Sequence, residues 1–161
     1  MTNTTLENSQ VLPFDKIGRI VVRWNELHFI LRTLFISAMQ TDLDTASAIL
    51  SQAPSDQAQR KIIKAVIKSK IEDEGILSEN KKIFSEIDAL SGERNNFIHG
   101  LWFSLPEEGI AVPSRHGDRR KKFQNVDNDA DNLLEKISNT QTRVFELEKK
   151  IQTFWRTPKT R

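Results

Sequence analysis

At 161 residues the chain fits one domain with enough sequence to bury a core, and 37% hydrophobic with 29% charged residues describes a soluble fold with a well-charged surface. Cysteine is absent, which excludes disulfides and thiolate metal ligands, and three widely spaced histidines argue against a structural zinc site. A net charge of +2 does not by itself mark a nucleic-acid binder, so the distribution of charge matters more than its sum.

Residues 1–12 are mostly polar and are expected to form a flexible N-terminal tail. From Pro13, apolar residues recur at three- and four-residue steps (Ile17, Ile20, Val21, Trp24, Leu27, Leu31, Leu34, Phe35, Ala38), the spacing of one helix face. Thr41-Asp42-Leu43-Asp44 has capping-box character and opens a short helix reaching Leu50. Pro54-Ser55-Asp56 starts a third helix with Ile62, Ile63, Val66, Ile67 and Ile71 on one face and Arg60, Lys61, Lys64, Lys68 and Lys70 on the other. Gly75 interrupts the pattern. A fourth helix then restarts at Ser78 or Glu79, carries Ile83, Phe84, Ile87 and Leu90, and extends toward Phe97 and Ile98 despite Gly92.

The pattern changes after Gly100. Leu101–Leu105, a Pro106–Gly109 turn and Ile110–Val112 read as two short strands, closed by Pro113 and the charged stretch Arg115 to Lys122. A final long helix opens near Asp127, with apolar residues at 130, 133, 137, 144, 147, 151 and 154 and Thr140 completing the register of a coiled-coil-like seam. The expectation is an all-α fold: an antiparallel bundle of about five helices in a single domain over 13–157, with a small β-hairpin at about 101–122. Residues 158–161 form a basic tail. No stretch approaches the ~18 apolar residues of a membrane span and no basic segment leads into an N-terminal apolar run, so a cytoplasmic location without membrane contact is the simplest expectation.

Arg94-Asn95-Asn96-Phe97-Ile98-His99, running into Gly100-Leu101-Trp102, combines a permanent cation with a group able to move protons near neutral pH. At ~100° per residue, Arg94 and His99 stand about 140° apart on a regular helix, whereas Asn95 and His99 are only about 40° apart. Arg94 must therefore reach round with its side chain, or the helix must be irregular there. Gly100 can release the chain from helical geometry. Nucleotide-binding loops, the nucleophile elbow and the zincin motif are all missing, and nothing points to a cofactor.

An arginine followed by a polar residue and then a histidine after four intervening positions, near the end of an all-helical domain, resembles the signature R-x(4–6)-H of the HEPN superfamily. The pattern resemblance covers roughly residues 13–156, with its specificity concentrated in Ser91–Trp102. It implies a metal-independent endoribonuclease, or a non-catalytic relative that binds RNA, nucleotides or a partner protein. Carried over by position, His99 would be the general acid/base, Arg94 the phosphate-contacting cation and Asn95 an orienting group. Some family members place an acid from an earlier helix near the motif, which makes Glu26 a further candidate. The family commonly dimerises, and a toxin–antitoxin or defence setting with a cognate partner is an expectation by analogy.

Two basic clusters are candidate RNA surfaces: Arg60, Lys64 and Lys68 on the third helix, and Arg115, Arg119, Arg120, Lys121 and Lys122 beyond the strands. A purely structural role accounts for the same motif, with Arg94 paired to an acid and His99 hydrogen-bonded in the bundle. A third reading is an interaction protein that dimerises through the seam of the last helix at Val144 and Leu147. His28, on the apolar face beside Trp24, reads as a satisfied core or interface histidine, and Trp24 and Trp102 as packing residues.

Overall fold

The computed structural model describes residues 14–99, 101–104, 111–114 and 126–157. Five helices carry the fold: α1 (Phe14–Met39), α2 (Leu43–Ser51), α3 (Asp56–Lys70), α4 (Glu74–Ile98) and α5 (Val126–Arg156). Between α4 and α5, β1 (Leu101–Ser104) and β2 (Ala111–Ser114) pair antiparallel, Leu101 opposite Ser114 and Ser104 opposite Ala111. Among the described residues, no helix is long and apolar enough to cross a membrane.

The helix starts are set by short polar caps. Asp42 accepts from the Thr45 amide at 2.7 Å, Ser55 from Ala58 at 3.2 Å and Asp73 from Ile76 at 2.8 Å. Each satisfies an amide that the first helical turn would otherwise leave unpaired. Two local expectations are corrected here. The cap of α2 is Asp42 rather than Thr41, and α4 begins at Glu74 rather than at Ser78 or Glu79. Asp73 initiates the helix before Gly75, whose flexibility costs little in a first turn already held by the cap. At the other end of α1, Gln40 adopts a left-handed φ of 52°, and the Thr41 amide donates to the Ile36 carbonyl at 3.2 Å. This is the reversal that terminates a helix when no glycine is present.

The core is one apolar cluster drawn from all five helices, with Ile20, Leu27, Leu34, Ile67, Ile83, Ile87, Ile137, Val144, Leu147 and Ile151 fully covered. The direction of the long helices follows from their polar contacts. Between α1 and α5 a sequence separation of 115 recurs at Lys16–Asp131, Glu26–Gln141, Thr33–Glu148 and Ser37–Gln152. A constant offset means two helices running the same way, in register. Between α4 and α5 the separation shrinks from 71 to 57 to 43 along Glu79–Lys150, Glu86–Arg143 and Glu93–Lys136. That is an antiparallel pair, stepped two helical turns at a time.

The parallel α1–α5 pair corrects the expectation of an antiparallel bundle. The chain reverses between α1 and α4 through α2 and α3, so a helix antiparallel to α4 necessarily runs with α1. A second correction concerns the seam of α5. Val144 and Leu147 are 0% exposed within this chain's own core, so they offer no dimer surface.

Candidate functional site

α4 stays regular through the Arg94 segment and ends at Ile98, with His99 as its C-cap. The His99 amide donates to the Asn95 carbonyl at 2.9 Å, and the residue itself is exposed. Helical regularity leaves the phase difference in force, so Arg94 and His99 leave the helix in different directions. Arg94 is partly buried. Its Nη1 donates to Asn95 Oδ1 at 3.0 Å, and its guanidinium carbon lies 5.9 Å from the centre of the Trp24 ring.

Arg94 and Asn95 open onto a cleft of about 420 Å³ between the N-terminal half of α3 and the C-terminal half of α4. Ser55, Asp56, Gln57 and Arg60 line it from α3 and its cap, and Asp88, Ser91, Arg94 and Asn95 from α4. Arg60 was expected on a solvated basic face, yet it is only 3% exposed. Its Nε pairs with Asp88 Oδ1 at 3.0 Å, and its guanidinium carbon sits 6.0 Å from the Trp24 ring centre. Two guanidiniums thus share one indole at the outer limit of cation–π range, which ties both arginines to the core residue Trp24.

His28 completes the cluster from α1. It stacks at a tilt on Trp24, ring centres 5.5 Å apart, and its Nε2 lies 3.5 Å from Asp56 Oδ2. Burial lowers its pKa below the usual 6.5; Asp56 opposes that shift, while the positive charges of Arg60, Arg94 and Arg32 reinforce it. The imidazole is therefore held toward its neutral form despite a carboxylate beside it. The expectation of a satisfied histidine is corrected: Nε2 is buried without a hydrogen-bond partner.

Of the residues singled out by sequence, Arg60, Arg94 and Asn95 come together at this cleft, and His99 does not line it. Glu26 lies elsewhere, bonded to Arg23 at 2.8 Å and facing Gln141 of α5. Lys64 and Lys68 are exposed on α3. Arg115, Arg119, Arg120, Lys121 and Lys122 lie outside the described residues. Sequence reasoning missed His28 and Arg32 as neighbours of the site, although Trp24, His28 and Arg32 form an i, i+4, i+8 series on one flank of α1. Asp88 and Ser55 carried no comparable signal. Among the described residues, no cluster of three or more acidic or histidine side chains is arranged to hold a metal ion. No family model matches the chain, and no curated protein or solved structure matches it either.

Proposed function

We propose that this chain is a HEPN-like helical protein that acts on RNA through the C-terminal end of α4 and the adjoining cleft. The observation that carries this reading is the placement of Arg94: the residue lines a solvent-open cleft while its Nε is buried without a partner. An arginine in that state favours an anionic group, and a phosphodiester offers one with matching geometry. Binding needs only Arg94, Arg60 and Asn95 as they stand. RNA binding without cleavage is thus the function this geometry supports best.

The second reading is a metal-independent endoribonuclease, favoured by the exposure of His99 at the tip of the same helix. Cleavage needs His99 and Arg94 on one phosphodiester, and about 140° of helix phase separates them within a chain. A homodimer that brings one copy's His99 to the other's Arg94 removes this obstacle. An imidazole can take the proton of a 2′-hydroxyl, and the arginine would neutralise charge developing on the phosphate. A cognate antitoxin or other protein partner would then cover the same end of α4.

The test is incubation of purified protein with mixed RNA in EDTA, with end mapping, alongside His99→Ala and Arg94→Ala. Salt-dependent binding lost in Arg94→Ala, with no new ends, supports the binding module. Cleavage abolished by either substitution supports the enzyme. Neither binding nor cleavage by wild-type protein would sink both readings.

A further inference from the structure

Five buried side-chain atoms among the described residues have no hydrogen-bond partner, and four of them belong to one cluster: His28 Nε2, Arg32 Nε, Arg60 Nη1 and Arg94 Nε. Buried donors without partners are rare in native proteins, because each forfeits its hydration without replacement. Four together, contributed by α1, α3 and α4, make a site rather than scattered imperfections. Their common character is informative. Three are guanidinium N–H groups that can only donate, and the imidazole becomes a donor at Nε2 when it takes a proton.

Two carboxylates lie close by but leave the demand unmet. Asp88 is committed to Arg60 Nε, and Asp56 stands 3.5 Å from His28; both are more than half exposed at the rim. The three arginines against these two acids leave the cluster with a surplus positive charge. Arg60 is more than nine-tenths buried and lines the cleft, and its Nη1 has no partner within the chain. The α3 N-terminus, capped by Ser55, adds its positive dipole end to the same wall.

We propose that the α3–α4 cleft is a binding site for a terminal phosphate group, a tetrahedral dianion held by Arg60 and Arg94, with Arg32 supplying charge from behind. A phosphomonoester suits the cluster better than an internal phosphodiester. It presents three terminal oxygens instead of two, which allows donors from separate helices to be met at once. It also carries about twice the charge, as expected for its second ionisation. About 420 Å³ accommodates a phosphate with part of an attached ribose. The group has two sources, the end of an RNA chain or a free nucleotide. The inference rests on the RNA reading only in sharing Arg94; the phosphate site stands without it.

Calorimetric titration of the full chain would use sodium sulfate against sodium chloride at equal ionic strength. AMP against adenosine, and a 5′-phosphorylated oligoribonucleotide against its 5′-hydroxyl twin, complete the series. Sulfate, the simplest dianion, should bind saturably, and at least one phosphorylated ligand should bind about tenfold or more tightly than its unphosphorylated counterpart. Preference for the oligonucleotide identifies an RNA end, and preference for AMP identifies a free nucleotide; either supports the site. Arg60→Met should weaken binding about tenfold or more, whereas Lys64→Gln with Lys68→Gln should leave sulfate affinity unchanged. If Arg60→Met does not fold, Arg94→Gln, which is less buried, gives the same readout.

Sulfate indistinguishable from chloride, or Arg60→Met binding as wild type does, would overturn the proposal. RNA binding that ignores the 5′ phosphate and survives Arg60→Met would overturn it while leaving the RNA reading intact. Saturable sulfate and AMP binding without any RNA binding would do the reverse.

Discussion

The α1–α5 seam and the α3–α4 cleft both place polar side chains under apolar cover, and they resolve the cost in opposite ways. In the seam, Glu148 is 8% exposed and accepts from Thr33 and Ser37 at 3.0 Å and from Gln152 at 3.1 Å. Gln141 donates to the Arg23 carbonyl at 2.8 Å, and Trp155 to the Ser37 carbonyl at 3.1 Å. On the adjoining α4–α5 face, Thr140, wholly buried, donates to Glu86 of α4, which also pairs with Arg143. Every group named there has its partner within the chain. At the cleft, Arg60 and Arg94 line the wall, Arg32 lies behind them near His28, and all three are left short of acceptors. A seam of this kind fixes helix register; a cleft of this kind is built for something else to complete.

The comparison can be broken by substitution. The largest effect is expected from Leu147→Asp, which buries a charge in the core beneath the seam and should abolish cooperative unfolding. Leu147→Ala should cost about 2–5 kcal/mol in urea denaturation. Phe145→Ser, on the exposed face of the same helix, should stay within about 0.5 kcal/mol. Such a gap would confirm that the apolar register of α5 serves the monomer core.

Next, Glu148→Ala strips the acceptor from Ser37 and Gln152 and should cost about 1–3 kcal/mol. Arg60→Met should cost less than about 1 kcal/mol, because Asp88, the partner left behind, is more than half exposed and leaves no buried unpaired charge. The released Asp88 can also turn to water. Similar losses for the two variants, measured by urea denaturation under identical conditions, would erase the distinction between seam and cleft.

The smallest effect is in pH dependence. The His28 pKa lies below 6.5 in the folded chain, so the unfolded chain binds more protons as pH falls from neutrality. Stability should therefore drop as pH falls through 6.5 toward the folded pKa of His28, then cease to change on its account. His28→Phe should flatten that part of the profile in urea melts between pH 7.5 and 5. An unchanged slope would mean that His28 is not held neutral by its burial among Arg32, Arg60 and Arg94.

Much of the fold was legible because helix periodicity is a local property. Trp24, Leu27, Leu31 and Leu34 on α1, and Leu133, Ile137, Val144 and Leu147 on α5, are buried as their spacing requires. Gly75 misled because its low propensity was weighed without the Asp73 cap beside it. The charge pattern of α3 misled for a related reason. Arg60, Lys64 and Lys68 look alike as a stripe of cations, yet only Arg60 lies near enough to the core-facing edge to be drawn under Trp24. A guanidinium tolerates that position better than an ammonium, being more weakly hydrated and able to lie against an aromatic face.

The sequence by itself determined five helices, most of their core faces and the presence of an arginine–histidine segment at the end of the fourth. Those follow from interactions within a few residues, which spacing and capping chemistry record directly. Tertiary structure alone decided that α5 runs parallel to α1, that its seam is consumed within one chain, and that Arg94 meets Arg60 and His28 rather than His99. Each depends on which helices become neighbours. Residues at positions 28, 60 and 94 share a site only because burial of three apolar faces forces their polar flanks to converge.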